Sequence, residues 1–306
     1  MATTTDRMDT VAGLLEWAAG RLGGSPAGRL EAEVLLGAAL GRNREWLIAH
    51  GDEEAEAGAS PAFRRMAAAR AETGVPVAYL TGEKEFLGMK LRVGPGVLVP
   101  RPETEGLVER ASKWLAGPGA AFAGAAVVDA GCGSGAVAVA LAKITGRRVI
   151  ATDASGEAVK RTADNAALHG VGALVTALRG SWLEPLGRIP GAPRVCAVVS
   201  NPPYIPSGAF AGLPRDVRDF EPREALDGGV DGLDCIRKLA GEARTVLPPA
   251  GLLALEIGEE QGEGVRGFLA GSGWGNVRIE ADLAGRTRYA LAEKTPGGPL
   301  AAPGNG

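Results

Sequence analysis

The residues whose chemistry most needs explaining form the stretch VSNPPYI at positions 199–205. Two prolines end an apolar strand, because proline lacks a backbone N–H and fixes φ, but this gives no reason for Asn201 or Tyr204. The Asn201 side-chain oxygen and a backbone carbonyl freed by the prolines can both accept hydrogen bonds from an –NH2 group. Tyr204 offers a flat apolar wall with a polar tip. The stretch therefore predicts a site that holds a substrate nitrogen at the end of a strand.

A second candidate site is the glycine-rich turn in VVDAGCGSGAVAVALA, where Gly131, Gly133 and Gly135 follow Asp129. Glycines let the backbone approach a ligand closely, and the helix that follows attracts negative charge to its N-terminus. Alone, such a turn is compatible with NAD, FAD or a nucleoside ligand. Asp153 ends the next strand, about 20 residues downstream, where a carboxylate can hold both hydroxyls of a ribose. An N-cap for the following helix is the alternative role of Asp153.

Composition limits the classes of function. The chain has 306 residues with a net charge of −3, which argues against a protein whose affinity comes from neutralising many phosphates. His50 and His169 are the two histidines and lie in separate helix-like segments, which argues against histidine triads and His-rich metal sites. The cysteines lack metal spacing and suggest buried free thiols, and no leader or long apolar run occurs. We therefore expect a cytoplasmic protein without a metal or a membrane segment.

The elements that must position these residues fall into distinct regions. Residues 1–82 show amphipathic helical patterns and predict a small helical bundle. Residues 83–103 carry short apolar runs and then prolines, which predict a β-hairpin and a stiff linker. In residues 104–295, seven candidate strands alternate with helical segments, which predicts an α/β domain with a largely parallel sheet and an antiparallel pair at its edge. The Pro/Gly-rich residues 296–306 predict a disordered tail.

Several of these segments resemble known motifs. Asp129 followed by G-x-G-x-G resembles motif I of the S-adenosylmethionine (SAM) methyltransferases. Asn-Pro-Pro-Tyr resembles motif IV of methyltransferases that act on planar –NH2 nitrogens of DNA adenine, RNA guanine or protein glutamine. The stretch PVAYLTGEKEFLGMKLRVGPGVLVPRPETEGLVE resembles the domain junction of the HemK family, the release factor glutamine methyltransferases. With SNPPYIP and DFEPREALDGGVDGLDCIRKL, the resemblance extends over nearly the full chain.

The resemblance implies a fold and an activity. The fold is a Rossmann-like SAM-dependent methyltransferase domain, with a mostly parallel seven-stranded sheet, joined by a β-hairpin to the N-terminal helical bundle. The activity is methyl transfer from S-adenosyl-L-methionine to N5 of the glutamine in the Gly-Gly-Gln motif of bacterial class I peptide chain release factors. The helical domain would dock this protein substrate.

The resemblance also implies the roles of individual residues. The implied cofactor contacts are Gly131, Cys132, Gly133, Ser134, Gly135, Asp153, Trp182 and Asn201. The implied catalytic residues are Asn201, Pro202 and Tyr204, and the implied substrate pocket consists of Asn201, Pro202, Pro203 and Tyr204. No metal is implied.

Some interpretations stay open at this stage. Ser181 stands where the family commonly has an acidic residue that accepts a bond from adenine, and a neutral hydroxyl accepts less strongly. The sequence RPETE at 101–105 is either a charged helix start or a segment that lies against the cofactor. Three other functions remain: a ribosomal-protein glutamine methyltransferase, a nucleic-acid amino-methyltransferase, which should show a basic groove, and a SAM-binding module without catalysis.

Overall fold

The computed structural model describes residues 9–56, 58–191 and 193–296, and the chain divides into two compact units. The first unit comprises the chain up to Glu83 together with Pro214–Phe220, and the second comprises Lys84–Leu213 and the chain from Glu221 onward. The sequence prediction had not assigned residues 214–220 to the helical domain. The disordered tail predicted for residues 296–306 lies outside the described residues from residue 297 onward. Within the described ranges, no helix has the length and apolar character that crossing a membrane requires.

The secondary structure alternates as the sequence pattern predicts. The helices are α1 (Val11–Arg21), α2 (Pro26–Leu40), α3 (Arg44–Ala49), α4 (Ala59–Thr73), α5 (Val77–Thr81), α6 (Pro102–Ala116), α7 (Ala136–Thr145), α8 (Gly156–Leu168), α9 (Arg215–Arg218), α10 (Asp234–Val246) and α11 (Gly262–Gly271). The strands are β1 (Glu83–Phe86), β2 (Met89–Arg92), β3 (Ala126–Ala130), β4 (Val149–Asp153), β5 (Val175–Arg179), β6 (Val195–Ser200), β7 (Leu252–Glu256), β8 (Trp274–Ala281) and β9 (Thr287–Lys294).

The first unit is a helical bundle around one apolar core. Its α2 begins with Pro26 at the first helical position, and the Ser25 hydroxyl caps it by accepting a hydrogen bond from the backbone N–H of Gly28 at 3.1 Å. Apolar residues of α1, α2, α3 and α4 form the buried cluster. Arg70 of α4 forms an ion pair with Asp216 at 3.3 Å, which attaches residues 214–220 to this unit.

The second unit is a seven-stranded sheet covered by helices on both faces, and the predicted fold class is confirmed. The strand order is β5-β4-β3-β6-β7-β9-β8, with β9 antiparallel to both of its neighbours and the other pairs parallel. The central strands are short, apolar and fully buried, as strands covered on both faces must be. Residues of α6, α7 and α8 fill the core on one face, and residues of α10 and α11 fill it on the other.

The strand order fixes where a ligand can bind. From β3 the chain builds outward through β4 and β5, and it then returns to place β6 on the other side of β3. In an open parallel sheet, ligands bind outside the carboxyl ends of the strands at this switch point. Asp129 of β3 is in register with Val199 of β6, so the turn after β3 and the residues after β6 emerge side by side.

Candidate active site

A cavity of about 580 Å³ lies at this switch point, within the second unit. This volume falls within the usual range for small-molecule sites. Its wall contains several of the residues predicted from the sequence, namely Gly131, Cys132, Gly133, Ser134, Asp153, Trp182, Asn201 and Pro203. The predicted residues Gly135, Pro202 and Tyr204 are not among the described residues that line it. The structure therefore brings the glycine turn and the end of β6 to one cavity.

The glycine turn has a backbone that only glycine adopts without strain. Gly131, Gly133 and Gly135 have φ values of 78°, 54° and 82°, in the left-handed region. Gly135 packs against Thr162 of α8 rather than lining the cavity. Cys132 accepts a hydrogen bond from the Thr162 hydroxyl at 3.2 Å, and burial raises the pKa of the Cys132 thiol. Cys132 is therefore a neutral small side chain in the turn, not a nucleophile.

Asp153 connects β4 to the glycine turn. Its Oδ2 accepts a hydrogen bond from the backbone N–H of Gly133, and its Oδ1 accepts one from that of Ser155, both at 2.9 Å. Ser155 is the N-cap of α8, and its hydroxyl accepts a bond from the backbone N–H of Ala158 at 3.3 Å. The interpretation of Asp153 as the N-cap is thus wrong. Burial raises the pKa of Asp153 despite these bonds, and each oxygen keeps lone-pair capacity for a ligand.

Asp129 lies beneath the same turn and is 1% exposed. Its Oδ2 accepts a hydrogen bond from the backbone N–H of Ala138 in α7 at 2.9 Å. Burial raises the pKa of Asp129 to about 7, and the charge of Asp153 adds to this shift. Two carboxyl groups therefore face the cavity wall, and burial disfavours the ionised form of each.

Trp182 lies at the other side of the glycine turn. A Cβ atom placed on Gly131 would lie 3.6 Å from the Trp182 indole, so the ring borders the turn directly. Ser181 also lines the cavity, and its hydroxyl accepts a hydrogen bond from the Lys238 ammonium at 3.2 Å. The position for which the family resemblance implied an acid is thus occupied by a hydroxyl next to a cation.

The side chains of Asn-Pro-Pro-Tyr point in different directions. Half-buried Asn201 directly follows β6, and its Nδ2 donates a hydrogen bond to the Thr104 hydroxyl at 3.1 Å. Pro203 lines the cavity, whereas Pro202 is buried. The Tyr204 hydroxyl donates to Oε1 of Glu256 at 3.2 Å, and burial together with the Glu256 charge raises its pKa. Tyr204 therefore faces the protein interior with its polar tip already paired.

The loop that carries these residues is braced from two sides. Gln261 donates from Nε2 to the backbone carbonyl of Tyr204 at 2.9 Å. Ile205 forms a β-bridge with Asp227, and its backbone N–H donates to the carbonyl of Leu226 at 3.0 Å. These contacts hold Asn201 on a rigid support, which a precise binding site needs.

Three further residues belong to this site and had no individual role in the sequence-based prediction. RPETE is the charged start of α6, which begins at Pro102, and Thr104 and Arg101 of the same segment also line the cavity. Arg101 is paired with the buried carboxylate of Glu221 at 2.6 Å. Glu256 is 1% exposed, and its Oε2 accepts a hydrogen bond from the Thr104 hydroxyl at 2.7 Å. An acidic residue at the end of an otherwise apolar strand, LLALE, was the feature that could have identified it.

Comparisons with known proteins match segments in both units of the chain. A family model of the PrmC N-terminal domain matches residues 13–82, and a model of the ribosomal protein L11 methyltransferase matches residues 119–186. The release factor glutamine methyltransferase of Moorella thermoacetica is 44% identical over 88% of this chain and 93% of its own length. The release factor glutamine methyltransferase of Bordetella pertussis is 42% identical over 85% of this chain and 93% of its own length. A methyltransferase structure from Pyrococcus furiosus, 18% identical with a TM-score of 0.50, covers 69% of this chain and 91% of its own, and supports the fold alone.

Proposed function

The chain belongs to the release factor glutamine methyltransferase family, and from that premise we propose that it methylates N5 of the glutamine in the Gly-Gly-Gln motif of bacterial class I peptide chain release factors. The methyl donor is S-adenosyl-L-methionine. The observation that carries the proposal is the position of Asn201, which lies on the wall of the same cavity as the glycine turn and Asp153. An amide that can hold a substrate nitrogen thereby borders a site suited to a nucleoside.

The residues of the cavity fit S-adenosylmethionine. Asp153 keeps acceptor capacity for ribose hydroxyls, because a carboxylate has about four lone-pair sites and the backbone N–H groups of Gly133 and Ser155 use one on each oxygen. Gly131 and Gly133 leave the turn without Cβ atoms where the ligand approaches, and Trp182 supplies an aromatic face for adenine. When bound, this cofactor supplies an electrophilic methyl group on a sulfonium sulfur.

The chain's own residues contribute mainly by positioning and by hydrogen bonding. An amide nitrogen is a poor nucleophile because its lone pair is delocalised into the carbonyl group. The Asn201 side-chain oxygen and the Pro202 carbonyl each accept a hydrogen bond from one N–H group of the substrate amide. These two hydrogen bonds increase the electron density on the amide nitrogen and stabilise the positive charge that develops there. Pro203 also lines the cavity. No strong base is needed before attack, since the methylated amide cation loses its proton readily.

The proposal is tested by incubating the full chain with S-adenosylmethionine and a purified class I release factor, then mapping added methyl groups by peptide mass spectrometry. We expect one methyl on the Gly-Gly-Gln glutamine, and none when that glutamine is replaced. Asn201→Ala should reduce turnover to a low but measurable rate while changing cofactor affinity far less. Methyl found on a ribosomal protein or on nucleic acid, and absent from the release factor, would overturn the assignment.

Because the target glutamine is part of a large protein, we propose that the first unit docks it. Leu30 and Val34 of α2 are one helical turn apart and are 50% and 45% exposed, which leaves apolar area available for a protein partner. Replacing both with serine should raise KM for the intact release factor and leave turnover of a short Gly-Gly-Gln peptide unchanged. Equal KM values for the intact protein would reject this docking role. We further expect the enzyme to act in the cytoplasm, where release factors function.

A further inference from the structure

A single buried carboxylate is connected to both polar side chains of the Asn-Pro-Pro-Tyr motif. Glu256 ends β7, the strand beside β6, and is 1% exposed. Its Oε2 accepts a hydrogen bond from the Thr104 hydroxyl at 2.7 Å, and its Oε1 accepts one from the Tyr204 hydroxyl at 3.2 Å. Thr104 in turn accepts a hydrogen bond from Nδ2 of Asn201 at 3.1 Å. These bonds form one continuous chain from Glu256 to the cavity.

The direction of each bond in this chain follows from chemistry. Burial raises the pKa of Glu256, whereas the hydrogen bonds from Thr104 and Tyr204 and the charge of Arg288 favour its ionised form. An ionised carboxylate has lone pairs but no proton, so it can only accept. The Thr104 hydroxyl has one hydrogen and gives it to Glu256, which leaves its oxygen able only to accept from Asn201. Of the two ends of the Asn201 amide, only Nδ2 can donate. The opposite orientation would place the carbonyl oxygen of Asn201 against the lone pairs of Thr104.

We propose that Glu256 and Thr104 are positioning residues that fix the Asn201 amide with Oδ1 available to the substrate. The proposal rests on the proposed function, because it specifies how Asn201 acts on the substrate nitrogen. A flipped amide would present N–H groups to the N–H groups of the substrate, and this contact is repulsive. Glu256 orients Tyr204 from its other oxygen, so the two polar side chains of the motif are held by the same group.

Thr104→Val tests the chain, because valine keeps the shape of threonine and removes the hydroxyl. We expect kcat on the release factor to fall about 10-fold to 100-fold, as for other losses of precise orientation, with little change in KM for the release factor. Thr104→Ser keeps the hydroxyl and should recover most of the lost kcat. In an Asn201→Ala background, Thr104→Val should cause no further loss, because Thr104 acts through Asn201. A full additional loss there, or wild-type kcat in Thr104→Val alone, would overturn the proposal.

A second measurement does not depend on activity. In the full chain labelled with 15N-asparagine, the side-chain –NH2 signals belong to a small set of residues, namely Asn43, Asn165, Asn201, Asn276 and Asn305. The Asn201 signal is identified by its loss in Asn201→Ala. We expect one of its protons to be shifted downfield and to exchange slowly, and Thr104→Val to abolish both properties. An Asn201 signal that is identical in wild type and Thr104→Val would overturn the positioning role, even if the wild type methylated a different substrate.

Discussion

Alanine in place of Gly135 should destabilise the second unit, whereas alanine in place of Gly133 should weaken cofactor binding. Both positions have positive φ, 82° and 54°, which costs an L-residue about 1–2 kcal/mol. A Cβ on Gly135 would lie 2.9 Å from both Cα and Oγ1 of Thr162. The Cα atom belongs to the backbone and cannot rotate away. A Cβ on Gly133 meets no described atom within 4 Å, and Gly133 lines the cavity.

The expected magnitudes follow from these contacts. Overpacking a buried site costs about 1–3 kcal/mol, so Gly135→Ala should cost roughly 2–5 kcal/mol in total. Gly146→Ala is the matched control, because Gly146 has φ 66° and open space at the end of α7. Gly146→Ala should lower the stability by only the cost of the positive φ, about 1–2 kcal/mol. In a unit of this size, each kcal/mol lowers Tm by about 2–4 °C.

The assays are thermal unfolding for stability and calorimetric titration with S-adenosylmethionine for affinity. Gly135→Ala should have the lowest Tm of the three variants. Gly133→Ala should match Gly146→Ala in Tm and bind the cofactor about 10-fold more weakly or worse, which corresponds to about 1.4 kcal/mol. The reasoning is refuted if Gly135→Ala is as stable as Gly146→Ala, or if Gly133→Ala binds with wild-type affinity.

Two further predictions concern Asp129 and Arg70. Burial raises the pKa of Asp129 from 3.8 to about 7, so its contribution to stability is complete below about pH 4 and is lost as the pH rises to 7. In the wild type this lowers the free energy of unfolding by up to roughly 4 kcal/mol between about pH 4 and pH 7. Asn cannot ionise, so in Asp129→Asn the Tm should fall less steeply across that range. A Tm profile against pH that equals that of the wild type would contradict this. Arg70→Met breaks the ion pair with Asp216, so trypsin should cleave residues 214–220 faster than in the exposed control Arg65→Met; equal rates would argue against the attachment.

The sequence was sufficient for the sheet and for the place of the site. Short, mostly apolar runs between helical segments specify buried parallel strands, and the carboxyl ends of such strands meet at one edge. This put the glycine turn and Asn201 together without any knowledge of distances. The local sequence pattern therefore predicts which backbone segments border the cavity, because strand ends and tight turns depend on neighbouring residues in the chain.

The hydrogen-bond partners of the side chains could not be predicted from the local sequence pattern. Thr104 and Glu256 are 152 residues apart in the chain and meet only because α6 packs near the end of β7. For Tyr204 the sequence predicted a flat wall with a polar tip, but not that the hydroxyl at this tip would be bonded to Glu256. Local sequence does not specify which way a side chain points after two prolines, since that depends on what the neighbouring strand presents.

The polar groups of the cavity share a property that bears on catalysis. Asp153 is bonded to the backbone N–H groups of Gly133 and Ser155, and Asn201 is bonded to Thr104. Each is fixed by protein atoms on one side and keeps acceptor capacity on the other. A ligand that uses the remaining lone pairs therefore meets groups that are already oriented and need not reorganise, which is the condition under which hydrogen bonds contribute most to a transition state. Loss of a supporting residue such as Thr104 should for that reason reduce kcat more than binding.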